Sequence, residues 1–185
     1  LVETGERLKK DAVVLAGDLG KWLEVRVAEV EMLANMPLVI ENNRERVIPY
    51  LAAEIKRKPG YLRFFVVAPN GDAYYSNGST SNLKDRDYVQ KVLSTGKPIV
   101  ADPVMSRVDN KAVIVIAAPI LRNGKVDGVM GSTITIDDLS AMVAKIKQGN
   151  TGYSFIAQKD GLLIAHPDAK MAMKSNLIKD ADFPP

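Results

Sequence analysis

YLRFFVVAPNGDAYYSN, residues 61–77, is the stretch from which the fold is read. Two runs rich in aromatic and β-branched residues flank Pro69-Asn70-Gly71, and Asn-Gly between such runs is a strong hairpin signal. The spacing therefore predicts a strand, a tight turn and a return strand. Further along, PIVADPVMS (98–106) reads as a third strand, and Pro103 places it at an edge or a bulge. KAVIVIAAPI (111–120) is an unbroken apolar run, expected in a central strand covered on both faces. Asn123-Gly124 turns into a fifth strand, KVDGVMGSTITI (125–136).

Upstream of the hairpin the period is helical. Leu15, Leu19, Leu23, Val27, Val30 and Ala34 form one stripe within residues 6–35, and Pro37 ends the run. A helix of about 30 residues is roughly 45 Å long, which suits a stalk or dimer helix as well as a core-covering one. A second helix is expected over about 41–57, carrying Val47, Ile48, Leu51 and Ile55. Downstream, DDLSAMVAKIK is a third, with Asp137 or Asp138 as its N-cap and Gly149 at its end. Strands 60–136 with helices against them make an α+β domain built on one five-stranded antiparallel sheet.

The hairpin has an echo. Phe65 lies six residues before Gly71, and Phe155 six before Gly161, an offset of 90 residues. Gly60-Tyr61 and Gly152-Tyr153 open the two segments. Either these are two unrelated hairpins, or residues 151–185 begin a second copy of the first module.

Composition excludes much. The 185 residues carry 25 Lys+Arg and 22 Asp+Glu, a net charge of +3, with no basic stripe, so nucleic acid is not an expected partner. There is no cysteine, and His166 is the sole histidine, so thiol catalysis, a Ser-His-Asp triad and a multi-histidine metal site lack material. No glycine-rich phosphate loop occurs. Asp137-Asp138 is a cap, and His166 in IAHPD is structural. No enzymatic activity, metal or cofactor is expected. No apolar run reaches 18 residues. The ends, at Leu1 within a helical pattern and at Pro184-Pro185, suggest an excised piece of a longer protein.

The recognition candidates cluster in NLKDRDYVQKVLSTGKP, residues 82–98. Asp85 is the expected N-cap of a short helix starting at Arg86 and stopping at Gly96. A helix N-terminus favours an anion, the Arg86 fork matches a carboxylate in two hydrogen bonds, and Tyr88 adds a hydroxyl and a wall. The sheet offers Tyr74 on the second strand, Asp102 and Arg107 flanking the third, and Val129, Gly131 and Thr133 along one face of the fifth. Gly131 is expected to leave room for a ligand.

The order of these segments resembles a known family. The long helix, the strand-NG-strand hairpin, DRDYVQKVLSTGKPIVADPVMSR (85–107), GKVDGVMGSTITIDDL (124–139) and TGYSFIAQKDGLLIAHPD (151–168) are together similar to the double Cache (dCache) sensor domain of bacterial methyl-accepting chemotaxis proteins and sensor kinases. The resemblance implies a stalk helix and second helix (1–58), a membrane-distal PAS-like ligand-binding module (59–136), a connecting helix (137–150) and a partial membrane-proximal module (151–185). It implies a periplasmic or extracellular domain of a cell-membrane protein, tethered by transmembrane helices outside this chain, and a homodimer formed through the N-terminal helix. Many members bind amino acids, and Arg86 and Tyr88 match the carboxylate-binding pair, with tyrosine for the usual tryptophan. Val104 stands where a tyrosine is expected, and Ser106 and Thr133 where acidic residues would hold the ammonium. A buried unpaired charge costs several kcal/mol, so the expected ligand is a carboxylate without an amine, such as acetate, propionate or another short organic acid. The same domain on a histidine kinase or a cyclic-dinucleotide enzyme, or an interaction module without a ligand, are the rival readings.

Overall fold

The computed structural model describes residues 2–145, 147–148 and 152–180. Helix α1 (Val2–Ala34) runs for 33 residues. Its predicted stripe turns inward: Val30 and Ala34 are buried, and Leu23 and Val27 pack against the same core. Helices α2 (Pro37–Ile40) and α3 (Arg44–Arg57) follow. The second helix thus starts later than residue 41. Asn42 takes φ +55° and breaks the path, and Asn43 caps α3 by accepting from the Arg46 N–H.

The strands are β1 (Arg63–Val67), β2 (Asp72–Tyr75), β3 (Thr80–Asn82), β4 (Ile99–Val100), β5 (Val104–Met105), β6 (Ala112–Arg122) and β7 (Lys125–Thr135), with α4 (Asp87–Thr95) between β3 and β4. They form one antiparallel sheet in the order β3-β2-β1-β7-β6-β4, and β5 also pairs with β6. The α+β class is as expected, with seven strands where five were read. The third predicted strand splits around Asp102-Pro103 into β4 and β5, both on β6. The edge strand β3 is three polar residues and carries no apolar signal. Asn123 and Gly124, both at positive φ, make the β6–β7 turn, as the Asn-Gly reading anticipates.

Both faces of the sheet are covered. Phe64 and Val66 point into a core with α1, α2 and α3, whereas Phe65 and Val67 point into a second core with Tyr88, Val89 and Val92 from the α4 segment. Strand β1 pairs with β7 so that Phe65 lies opposite Gly131. A Cβ on Gly131 would meet the Phe65 ring at 2.1 Å, so the ring fills the space the glycine leaves. The expected ligand space at Gly131 is therefore occupied by protein.

Helix α5 (Ile136–Ala144) is capped by Thr135, not by Asp137 or Asp138: Thr135 Oγ1 accepts from the Asp138 N–H at 3.0 Å and donates to the Asp138 carboxylate. The expected stop at Gly149 lies outside the described residues. The short strands β8 (Lys147–Gln148), β9 (Gly152–Tyr153), β10 (Ile156–Ala157) and β11 (Leu163–Ala165) complete the chain. The echo has a structural counterpart. Gly71 and Gly161 adopt φ +91° and +89°. Each donates its N–H to the residue three back, Ala68 or Gln158, and each carbonyl accepts from a leucine N–H, Leu83 or Leu177.

Substituting Gly131 by alanine forces the buried Phe65 ring to move. Overpacking of this kind costs about 1–3 kcal/mol, which for a chain of this size lowers Tm by about 2–4 °C per kcal/mol. Thermal unfolding of Gly131→Ala, and of Gly131→Ala with Phe65→Leu, checks it: the smaller side chain in the double variant restores part of the loss.

Candidate functional site

The site lies on the sheet face opposite α1 to α3, under α4 and the strap that connects β4 to β6. Helix α4 begins at Asp87, and its N-cap is Arg86, in extended backbone with no side-chain cap bond. Asp85 does not cap it. Its exposed carboxylate instead accepts from Arg107 Nη2 at 2.5 Å, and that bond holds its pKa below the usual carboxylate range. Gly96 ends the helix in the left-handed region at φ +63°, as expected.

From the cap position Arg86 reaches across to the strap. Its Nη2 donates to the Met105 carbonyl at 2.8 Å, while its Nε is buried with no partner among the described residues. Arg107 on the strap answers in the other direction, donating to the Asn82 carbonyl and to Asp85. Tyr88 is buried beneath, and burial pushes its phenol pKa up.

Arg86, Tyr88, Thr133 and Arg107 line one inner cavity with Phe65, Tyr75, Met105 and Ser106. Its volume is about 20 Å³, room for about one water. Outside it, and sharing Arg86, Tyr88, Val104 and Arg107, opens a cleft of about 480 Å³ bounded by α4, Lys91 and residues 99–102. The inner lining contains two arginines and no carboxylate. Among the described residues no group of three metal-ligating side chains occurs.

Of the six candidates, the fold brings Arg86, Tyr88, Arg107 and Thr133 together. Asp102 sits on the rim of the outer cleft, exposed, accepting from Gln158 Nε2 at 3.2 Å. Tyr74 lies elsewhere. Alternation along β2 sends it to the α-helical face, where its hydroxyl donates to Asn42 Oδ1 at 2.6 Å and Arg44 sits over its ring. Its neighbour Tyr75 takes the site face, with its ring 5.3 Å from Phe65.

The sequence reading missed Arg63, which shares the site face with Phe65. Its side chain is 8% exposed, and the guanidinium donates to Ser106 Oγ at 3.3 Å and to Asp109 Oδ2 at 2.6 Å. A charge within the otherwise apolar YLRFFVV was the available signal. The Asp109 pKa is held down to about 2, chiefly by the Arg63 bond. A carboxylate whose folded pKa lies below its unfolded value stabilises the fold above the unfolded pKa, near 4, and loses that contribution as pH falls toward 2. The Tm of the wild-type chain therefore falls more steeply than that of Asp109→Asn between about pH 4 and pH 2. Parallel melting curves across that window check it.

The family model described as Cache domain, dCache_1, matches residues 3–183. The chain is 25% identical over 168 residues to the methyl-accepting chemotaxis protein PctB of Pseudomonas aeruginosa, an alignment covering 88% of the chain and 26% of PctB. The chain thus spans about a quarter of that relative's length. Its structure is similar to the ligand-binding domain of the Pseudomonas fluorescens chemoreceptor CtaA in complex with L-serine, with a TM-score of 0.73 and 20% identity, covering 88% of this chain and 71% of that one. It is also similar to the extracellular domain of the histidine kinase mmHK1S-Z3, with a TM-score of 0.71 and 16% identity, covering 87% and 70%.

Proposed function

The chain belongs to the Cache domain family, and on that footing we propose that it is the extracytoplasmic ligand-binding domain of a membrane chemoreceptor, reading a small carboxylate rather than catalysing a reaction. One observation carries the ligand class: the inner cavity presents Arg86, with a buried unpartnered Nε, and no acidic side chain. A carboxylate seated there completes the guanidinium's hydrogen bonds and replaces its bond to the Met105 carbonyl. A ligand ammonium finds no counter-ion in that inner lining, since Asp85, Asp87 and Asp102 line the outer cleft instead. Acetate, propionate and similar short acids fit that chemistry. Because the cavity has room for only about one water, the strap must shift outward toward the larger cleft when the acid enters.

In this reading Arg86 and Tyr88 hold the carboxylate, Thr133 and Tyr75 form the floor, and Arg107 and Asp102 belong to the rim. Residues 59–136 are the sensing module, 1–58 the stalk and second helix, 137–150 the connector and 151–185 part of a second, membrane-proximal module. Exposed Val14, Val25 and Met32 along α1 support a homodimer through that helix. No helix among the described residues is long and apolar enough to cross a membrane. The likeness to a histidine kinase's extracellular domain supports a second reading, the same sensor on a kinase, which the sequence following this domain in the parent protein distinguishes.

Titration calorimetry of the chain with acetate, propionate and L-serine tests the ligand class. The two simple acids bind and L-serine does not, and Arg86→Ala weakens the acids by about tenfold or more, since a hydrogen bond to a charged group contributes about 1.5–3 kcal/mol. Tight binding of L-serine that survives Arg86→Ala refutes it.

A further inference from the structure

We propose that Arg63 is a specificity-determining residue of this pocket, keeping ligand ammonium groups away from the Thr133–Ser106 wall; the inference rests on the carboxylate reading above. Arg63 leaves β1 on the site face, and its cross-strand partner on β7 is Thr133. Its Nη1 donates to Ser106 Oγ at 3.3 Å. Thr133 and Ser106 both line the inner cavity. The guanidinium therefore stands directly behind the wall that faces a ligand held by Arg86.

The wall is poorly suited to a cation for two reasons. Ser106 Oγ already accepts from Arg63 and from the Val108 N–H, so both its lone pairs are engaged and none remains for an incoming N–H. The charge behind it is positive, and like charges in a weakly polar site repel strongly. Asp109 balances Arg63, but it does not line the cavity and is 25% exposed against 8% for the arginine. Asp109 also takes a hydrogen bond from Ser106, yet the cationic end of the pair is the more buried one and the carboxylate the more exposed. A carboxylate at Arg86 gains from this arrangement, and an amine on the far side of the ligand loses.

The test compares propionate with β-alanine, which adds only a terminal ammonium. Titration calorimetry on the whole chain gives the ratio of the two affinities within each variant, so a general loss of stability cancels. Wild type prefers propionate. Asp109→Asn, which leaves Arg63 unbalanced, widens the preference by about threefold or more, and Arg63→Gln with Asp109→Asn narrows it by about tenfold or more, in line with the cost of like-charge juxtaposition. If the double variant folds poorly, the widening in Asp109→Asn carries the test by itself. A ratio unchanged in the variants that still bind propionate overturns the role of Arg63 and leaves the carboxylate reading standing. No propionate binding by wild type overturns that reading and this inference with it.

Discussion

Phe64 and Phe65 are consecutive residues of one strand, and both are completely buried. Successive side chains on a strand point to opposite faces, so the sheet must be covered twice. That constraint explains the rest of the architecture. The three N-terminal helices cover one face around Phe64, and α4 with its strap covers the other around Phe65. Phe65 can reach its core only because Gly131, directly opposite on β7, gives up its side-chain volume. The pocket is what remains of the second face after Phe65 has taken that space, which is why it is small and lies toward Arg86 and Thr133.

Besides the pairing of β4 and β5 with β6, three arginines tie down the strap over the pocket. Met105 receives Arg86, Ser106 and Asp109 receive Arg63, and Arg107 reaches back to Asn82 and Asp85. These ties differ in environment. The Arg63–Asp109 pair is largely buried at its cationic end, whereas Asp85 is exposed and water competes for Arg107. The Arg86 bond goes to a neutral carbonyl, for which a carboxylate is the stronger competitor. Under the proposed carboxylate reading, a ligand acid competes with the Met105 carbonyl for Arg86 and leaves the Arg63 bonds to Ser106 and Asp109 in place.

Local signals were readable along the chain, and non-local ones were not. The two Asn-Gly turns, the inward stripe of α1 and the Gly96 stop are carried by neighbouring residues, and the structure has them where the patterns put them. Asp85 looked like a cap because it sits where a cap belongs, but an arginine 22 positions later captures it. Gly131 looked like ligand space because its occupant comes from the far end of the module. Tyr74 and Tyr75 are chemically equivalent in sequence, and one residue of register decides which faces the site. Arg63 was hidden for the same reason, since its face follows from the parity it shares with Phe65. The charge cluster at 84–87 was visible in the sequence, but the partners of its Arg86 and Asp85, Met105 and Arg107, lie on the strap.

The same strand ties the pocket to the long helix. The Leu62 N–H donates to the Thr133 carbonyl, on the residue that forms the pocket wall. Next to it, Tyr61 donates its hydroxyl to Glu29 of α1 at 2.5 Å. Glu29 also accepts from Lys58 and Arg26, and although burial alone would raise its pKa, these donors together leave it lowered. Arg26 in turn lies between the rings of Trp22 and Tyr61, with its guanidinium carbon 4.8 Å and 4.5 Å from the two centroids. A shift at the start of β1 must therefore move α1 with it or break a cluster in which a carboxylate, two cations and two aromatic rings satisfy one another. Contact of this kind makes coupling possible but does not give it a sign. A ligand displaces the helix only as far as its affinity differs between two placements of β1, and the Arg63 side chain, rooted in β1 and bonded to Ser106 and Asp109 of the strap, links that strand to the pocket wall.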